Sequence, residues 1–218
     1  MSDQAADATR PALRAGVDPV RALALWGSTE EVLTHPSAAA HRLSGIEERR
    51  AARFADTRDR DSFRAAHLLV RICGERAGLG PGALTVEQRC DECGGDHGRP
   101  RFRAAPDVGL SWAHTRGAVV AAVGPAAVGV DIEAAVAVPA SSISSVLSSR
   151  EAAWLAATPE DAVTIWCRKE AAAKAAGVGV AGMAAVDALE EGGWTEVRSD
   201  GFQICVFSPR TIDLHRLR

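Results

Sequence analysis

Two acid-bearing segments hold the residues whose types and spacing suit chemistry: Gly129-Val-Asp-Ile-Glu133, and the pair Glu170 and Lys174. Residues 128–133 read as a short buried strand. On it Asp131 and Glu133 point to one face, a few ångströms apart, while Val130 and Ile132 point into a core. Two such carboxylates repel unless a cation lies between them. A hard dication such as Mg2+ takes oxygen ligands of this kind and leaves positions for phosphate oxygens and water. The plainer alternative is a half-exposed strand with solvated acids. Glu170 would complete the set from a predicted helix, with Lys174 one turn further along the same face. The alternative there is an ordinary surface ion pair of little worth. Ile165, Trp166, Ala172 and Ala173 are apolar enough to seat that helix on a core and turn Glu170 and Lys174 towards a cleft. A metal with an ammonium group beside it is suited to handling a pyrophosphate.

Lysine itself is informative. The chain has 25 Lys and Arg residues, and only Lys169 and Lys174 are lysine. An ammonium is a compact point charge and a guanidinium a broad planar fork. Two lysines within one segment therefore suggest positions where arginine will not serve; the alternative is chance.

The elements that must carry these residues follow from periodicity. Residues 46–77 read as a helix with Phe63, Ala66, Leu69, Val70, Cys73 and Ala77 on its buried face, ended by the Gly/Pro cluster at 78–82. A short strand at 85–88 and a turn-rich insertion at 90–100 come next, then a buried strand at 118–123 and the turn Gly124-Pro125. Beyond the 128–133 strand, helices are predicted at 149–157 and 162–176, the second stopped by Gly177 and Gly179. Strands are predicted at 185–189, 195–198 and 202–207. The fold class expected is α+β with α/β-like halves, 21–125 and 126–218, after a disordered tail at 1–20.

Bulk properties exclude some functions. With 218 residues, 47% apolar, the chain can bury a real core. A net charge of -3 argues against a broad nucleic-acid or anionic-membrane surface. No run is long enough to span a membrane and the first residues do not read as a secretory signal, so a cytoplasmic protein is expected, with its five cysteines mostly reduced. Cys90, Cys93 and His97 have the spacing of a zinc knuckle, but structural zinc takes four ligands, and a plain turn is the default expectation. Trp112 and Trp154 read as packing residues, and His67 as a boundary residue of its helix.

Gly129-Val-Asp-Ile-Glu133 followed by Trp166-x-x-Lys-Glu-Ala-x-x-Lys-x-x-Gly177 resembles the paired motifs of the Sfp-type 4′-phosphopantetheinyl transferases. Gly98-Arg99-Pro100 is similar to the family's Gly-Lys/Arg-Pro. Leu147-Ser-Ser-Arg-Glu-Ala-Ala-Trp154 looks like the element between the two motifs and puts Glu151 at its acidic position. Glu48-Arg-Arg-Ala-Ala-Arg-Phe54 looks like the N-terminal basic segment, with Arg50 where a basic residue reaches coenzyme A. One departure stands out: the family's Ser-His-Ser/Thr reads Ala113-His114-Thr115 here, and Ser111, two residues earlier, is the candidate to supply the missing hydroxyl.

The resemblance implies an enzyme that moves the 4′-phosphopantetheine arm of coenzyme A onto a serine of an acyl or peptidyl carrier protein, releasing adenosine 3′,5′-bisphosphate. Fatty-acid, polyketide and nonribosomal peptide synthases all use such carriers. Asp131, Glu133 and Glu170 would hold Mg2+. Catalytic roles would fall to Glu170, Lys174 and Glu151, with Glu170 or Glu151 as the base. Arg50, Arg99, Pro100, His114, Thr115, Asp131, Lys169, Glu170 and Lys174 would bind the coenzyme. The implied fold is two similar subdomains related by a pseudo-twofold, each a small sheet packed with a long helix, with the ligand cleft between them. A monomer is expected, with neither nucleic acid nor membrane as partner. The alternatives are a non-catalytic coenzyme A- or carrier-binding homologue and another metal-dependent phosphodiesterase.

Overall fold

The computed structural model describes residues 20–90, 93–96, 98–125, 127–136 and 139–218, with Ala140 described by its backbone only. The tail expected at 1–20 lies outside the described residues apart from Val20.

The chain enters through β1 (Leu23–Ser28), an apolar strand buried on both faces, which the periodicity reading passed over. Ser28 then starts α1 (Thr29–Thr34) with a capping box: its hydroxyl accepts from the Glu31 N–H, and the Glu31 carboxylate accepts from the Ser28 N–H. The single helix expected over 46–77 is two helices, α2 (Gly45–Ala51) and α3 (Thr57–Arg76). The break has a local cause. Asp56 adopts an extended conformation and its carboxylate accepts from the Arg58 N–H, which caps a new helix start.

A short ribbon of β2 (Val86–Gln88) and β3 (Pro100–Phe102) precedes β4 (Gly109–Thr115) and β5 (Ala118–Gly124). Then come β6 (Gly129–Ala134), α4 (Ser149–Ala157), α5 (Ala162–Ala176), β7 (Trp194–Ser199), β8 (Phe202–Phe207) and β9 (Asp213–Arg216). The strand expected at 185–189 does not form. A 3-10 turn over Val180–Ala185 leads instead into bends, whose backbone groups bond buried side chains of α4 and α5.

The architecture is mixed α+β. One sheet runs β4-β5-β1-β9, with β9 parallel to β1, so the last strand of the chain returns to the first sheet. A second sheet is antiparallel, in the order β6-β8-β7. Alternation builds the layers. Leu23, Leu25, Ala121 and Val123 face α3 through Leu69, Val70 and Cys73. Ala24, Trp26, Val120 and Ala122 face Val130, Ile132, Ile204 and Val206 of the second sheet. Cys205 turns the other way, to Cys167 and Ala171 of α5. Helix, sheet, sheet and helix thus stack in four layers. Among the described residues no helix is long and apolar enough to cross a membrane.

A buried polar group joins α2 to α3. The two Glu47 oxygens bond His67 Nδ1 and Arg71 Nη2, each at 2.7 Å, and the carboxylate also accepts from the Ser44 N–H. Burial alone would raise the Glu47 pKa, but the His67 hydrogen bond and the Arg71 charge outweigh it and hold it at about 2, against 4.5 ordinarily. Burial also lowers the His67 pKa. His67 is therefore a core group with a fixed partner, not the boundary residue expected.

Because the Glu47 pKa is depressed on folding, its stabilisation is present above pH 4.5 and is lost as the pH falls from there towards about 2. Glu47→Ala should cost about 3–5 kcal/mol at pH 7 by denaturant unfolding, because Arg71 loses its buried partner. The gap to the wild type should narrow below pH 4.5.

Candidate functional site

The site begins with a close approach of α5 to β6. A Cβ on Gly129 would lie 1.8 Å from the Ala171 carbonyl oxygen and 2.6 Å from the Ala175 nitrogen, so glycine is the residue that lets this helix lie on this strand. The alanines at 171 and 175 are buried in the same contact. With the helix seated so closely, Lys174 reaches the strand. Its Nζ donates to Asp131 Oδ1 at 2.7 Å and to the Val130 carbonyl at 3.2 Å, and lies 3.8 Å from Glu170 Oε2.

The charges around this contact do not balance. Asp131 is buried, and its Oδ2 has no hydrogen-bond partner. Glu133 Oε1 accepts from the Trp166 indole at 2.8 Å, yet burial, and then the Asp131 charge, raise the Glu133 pKa. Burial also raises that of Glu170, even with Lys174 beside it. Burial works against the Lys174 ammonium, but Asp131 more than compensates and its pKa rises. Three acids share one ammonium here, and one buried oxygen is left over.

Could these residues hold a metal? Among the described residues no three His, Cys, Asp or Glu side chains are gathered closely enough to ligate one. Asp131 is turned to Lys174. The donor set nevertheless fits a hard dication: all three side chains offer carboxylate oxygens, one oxygen is orphaned, and the raised acids would be relieved by a cation. Of the zinc-knuckle residues, Cys90 closes a turn by accepting at its carbonyl from the Gly94 N–H at 2.9 Å, and His97 lies outside the described residues.

Beside Lys174 opens a cavity of about 420 Å³. Arg99, Pro100, Ser111 and Trp112 line it from one side, and Glu170 and Lys174 from α5. Arg99 Nη2 donates to the Ala175 carbonyl at 2.8 Å, and so caps the end of α5, where Gly177 takes a φ of 72°. Arg50 lies in a neighbouring cavity of about 280 Å³ and bonds Gln88, which lines both. His114 and Thr115 sit at the end of β4 and do not line the larger cavity. Burial lowers the His114 pKa, helped by the charges of His67 and Lys174.

Residues 127–208 match the family model of the 4′-phosphopantetheinyl transferase superfamily. That stretch is similar to the phosphopantetheinyl transferase superfamily. It contains Asp131, Glu133, Glu151, Lys169, Glu170 and Lys174, and ends short of Arg50, Arg99, Ser111 and His114 on the N-terminal side. Comparison with curated proteins finds no match.

Within the matched stretch, two of the expected site residues lie away from the cavity. Glu151 and Lys169 are both fully buried and bonded to each other at 2.8 Å. Lys169 also donates to the Val186 carbonyl at 2.5 Å. Glu151 accepts from the Ala188 N–H at 2.7 Å and the Ser148 N–H at 2.7 Å. Neither lines the cavity; they tie α4 and α5 to the bends at 186–188. The sequence reading gave Ser111 only a tentative role and omitted Gln88.

Gly129→Ala should destabilise the protein by an amount at or above the upper end of the usual 1–3 kcal/mol for overpacking, roughly, since the clash is with backbone. Gly82→Ala, where a Cβ meets nothing within 4 Å, should be neutral. Thermal melts of the two variants beside the wild type check this.

Proposed function

We propose that the protein transfers the 4′-phosphopantetheine arm of coenzyme A to a serine hydroxyl of an acyl or peptidyl carrier protein, as the Sfp-type enzymes do. The observation that carries the reading is the group of Asp131, Glu170 and Lys174 beside the larger cavity, inside the stretch that matches the superfamily.

In the reaction the carrier serine oxygen forms a bond to the phosphorus that bears the pantetheine arm. The bond from that phosphorus to the bridging oxygen breaks, adenosine 3′,5′-bisphosphate leaves, and the serine proton passes to a base. Asp131, Glu133 and Glu170 would hold Mg2+, which supplies charge neutralisation at the pyrophosphate. The Lys174 ammonium, held by Asp131 and the Val130 carbonyl, would hold the same pyrophosphate. Glu170 is the better base of the two candidates. Burial raises its pKa, which makes it the more basic carboxylate, whereas both Glu151 oxygens are engaged by Lys169 and backbone N–H groups. Glu151 and Lys169 act instead by holding α5 in place.

Arg50, Arg99, Pro100, His114 and Thr115 would meet the nucleotide end, where the additional 3′-phosphate attracts basic groups. The cleft would then lie between two halves related by a pseudo-twofold, and a monomer would suffice. With coenzyme A and the carrier proteins of fatty-acid, polyketide or nonribosomal peptide synthases as partners, the protein would act in the cytoplasm.

An apo carrier protein incubated with coenzyme A, Mg2+ and this protein should gain the mass of one phosphopantetheine arm, read by intact-mass spectrometry, and gain nothing without the metal. Glu170→Gln should slow the transfer by roughly 10²–10⁴-fold. A panel of carriers left unmodified while coenzyme A binds would favour the non-catalytic homologue.

A further inference from the structure

β4 and β6 belong to different sheets, yet they lie side by side. Ser111 of β4 links them: its Oγ accepts from the Val130 N–H at 3.2 Å. The carbonyl of the same Val130 accepts from Lys174, and Asp131, the next residue, bonds the same ammonium. One residue of β6 is thus held through its N–H by Ser111 and through its C=O by Lys174. Ser111 is buried and lines the cavity with Lys174 and Glu170.

The Ser111 hydroxyl is used as an acceptor, and its own proton is bonded to no acceptor among the described residues. A hydroxyl carries one donor and two acceptor positions, so this group can bond the strand and still donate into the cavity. Ala113, two residues on and on the same face, has no such capacity and packs in the apolar cluster with Val120 and Val130.

We infer that Ser111 is a substrate-binding residue of this site: its hydroxyl donates to a phosphate oxygen of the coenzyme A pyrophosphate that Lys174 holds. The inference rests on the proposed transferase reading. The same bond to Val130 keeps β6, and with it Asp131, in register with the cavity wall.

Steady-state kinetics with a carrier protein and calorimetric binding of coenzyme A, on wild type, Ser111→Ala, Ser111→Cys and Ser111→Thr, test it. Ser111→Ala and Ser111→Cys should raise the KM and Kd for coenzyme A roughly tenfold to a hundredfold, the range for a hydrogen bond to a charged group. Their KM for the carrier should stay unchanged, and Ser111→Thr should restore binding. The cysteine variant keeps the side-chain volume if the alanine variant folds poorly. Wild-type affinity in both variants, or equal losses for coenzyme A and carrier with a lowered Tm, would overturn the inference and leave the transferase reading standing. A wild type that binds no coenzyme A would overturn both.

Discussion

The approach of α5 to β6 leaves no space for a side chain at Gly129, and the geometry of the site depends on that contact. With Ala171 and Ala175 lying directly on the strand, the ammonium of Lys174 comes within bonding distance of both the Val130 carbonyl and Asp131. A helix lifted by a methyl group at the contact would carry Lys174 and Glu170 away from Asp131 together. Two further fastenings hold the same helix: Arg99 bonds its C-terminal end, and the buried Glu151–Lys169 pair ties it to α4 and the bends at 186–188. The contact is therefore tight, and it is also braced from both sides.

Charge explains why so much structure is spent on one contact. Asp131, Glu133 and Glu170 are all partly or wholly withdrawn from water, and a single ammonium answers them. Surplus buried negative charge costs stability, since burial and mutual repulsion both favour protonation. Such a group persists only where the surrounding packing holds it, and that is what the Gly129 contact supplies. Lysine suits the position because a slim stem and a point charge can meet a carbonyl and a carboxylate at once, where a planar guanidinium needs a wider fork of acceptors. Lys169, sealed from solvent, meets a carboxylate and a carbonyl in the same way, those of Glu151 and Val186.

Several parts of this were legible in the residues. Alternation in Gly129-Val-Asp-Ile-Glu133 put Val130 and Ile132 in one core and Asp131 and Glu133 on the opposite face, since side-chain direction in a strand is a local property. The ends of α5 were readable for the same kind of reason, because Gly177 is needed at a left-handed residue after the last turn. Reading 46–77 as one helix failed because the hydrophobic period continues through the break, and the cap at Asp56 decides it. The strand expected at 185–189 failed because its backbone groups serve Lys169 and Glu151, partners that lie far away in the chain.

By itself the sequence determined the local quantities: strand and helix periods, the caps, the faces on which acids and lysines lie, and the motif spacing that resembles the phosphopantetheinyl transferases. Only the tertiary structure decided which of those groups meet. It separated Lys169 from Lys174, burying one against Glu151 and setting the other on Asp131, although both stand on the same helix five residues apart. It brought Ser111 to Val130 across two sheets, and returned the last strand of the chain to the first sheet. Local preference acts through neighbours in sequence, whereas these pairings depend on the packing of whole layers, which no short window of residues encodes.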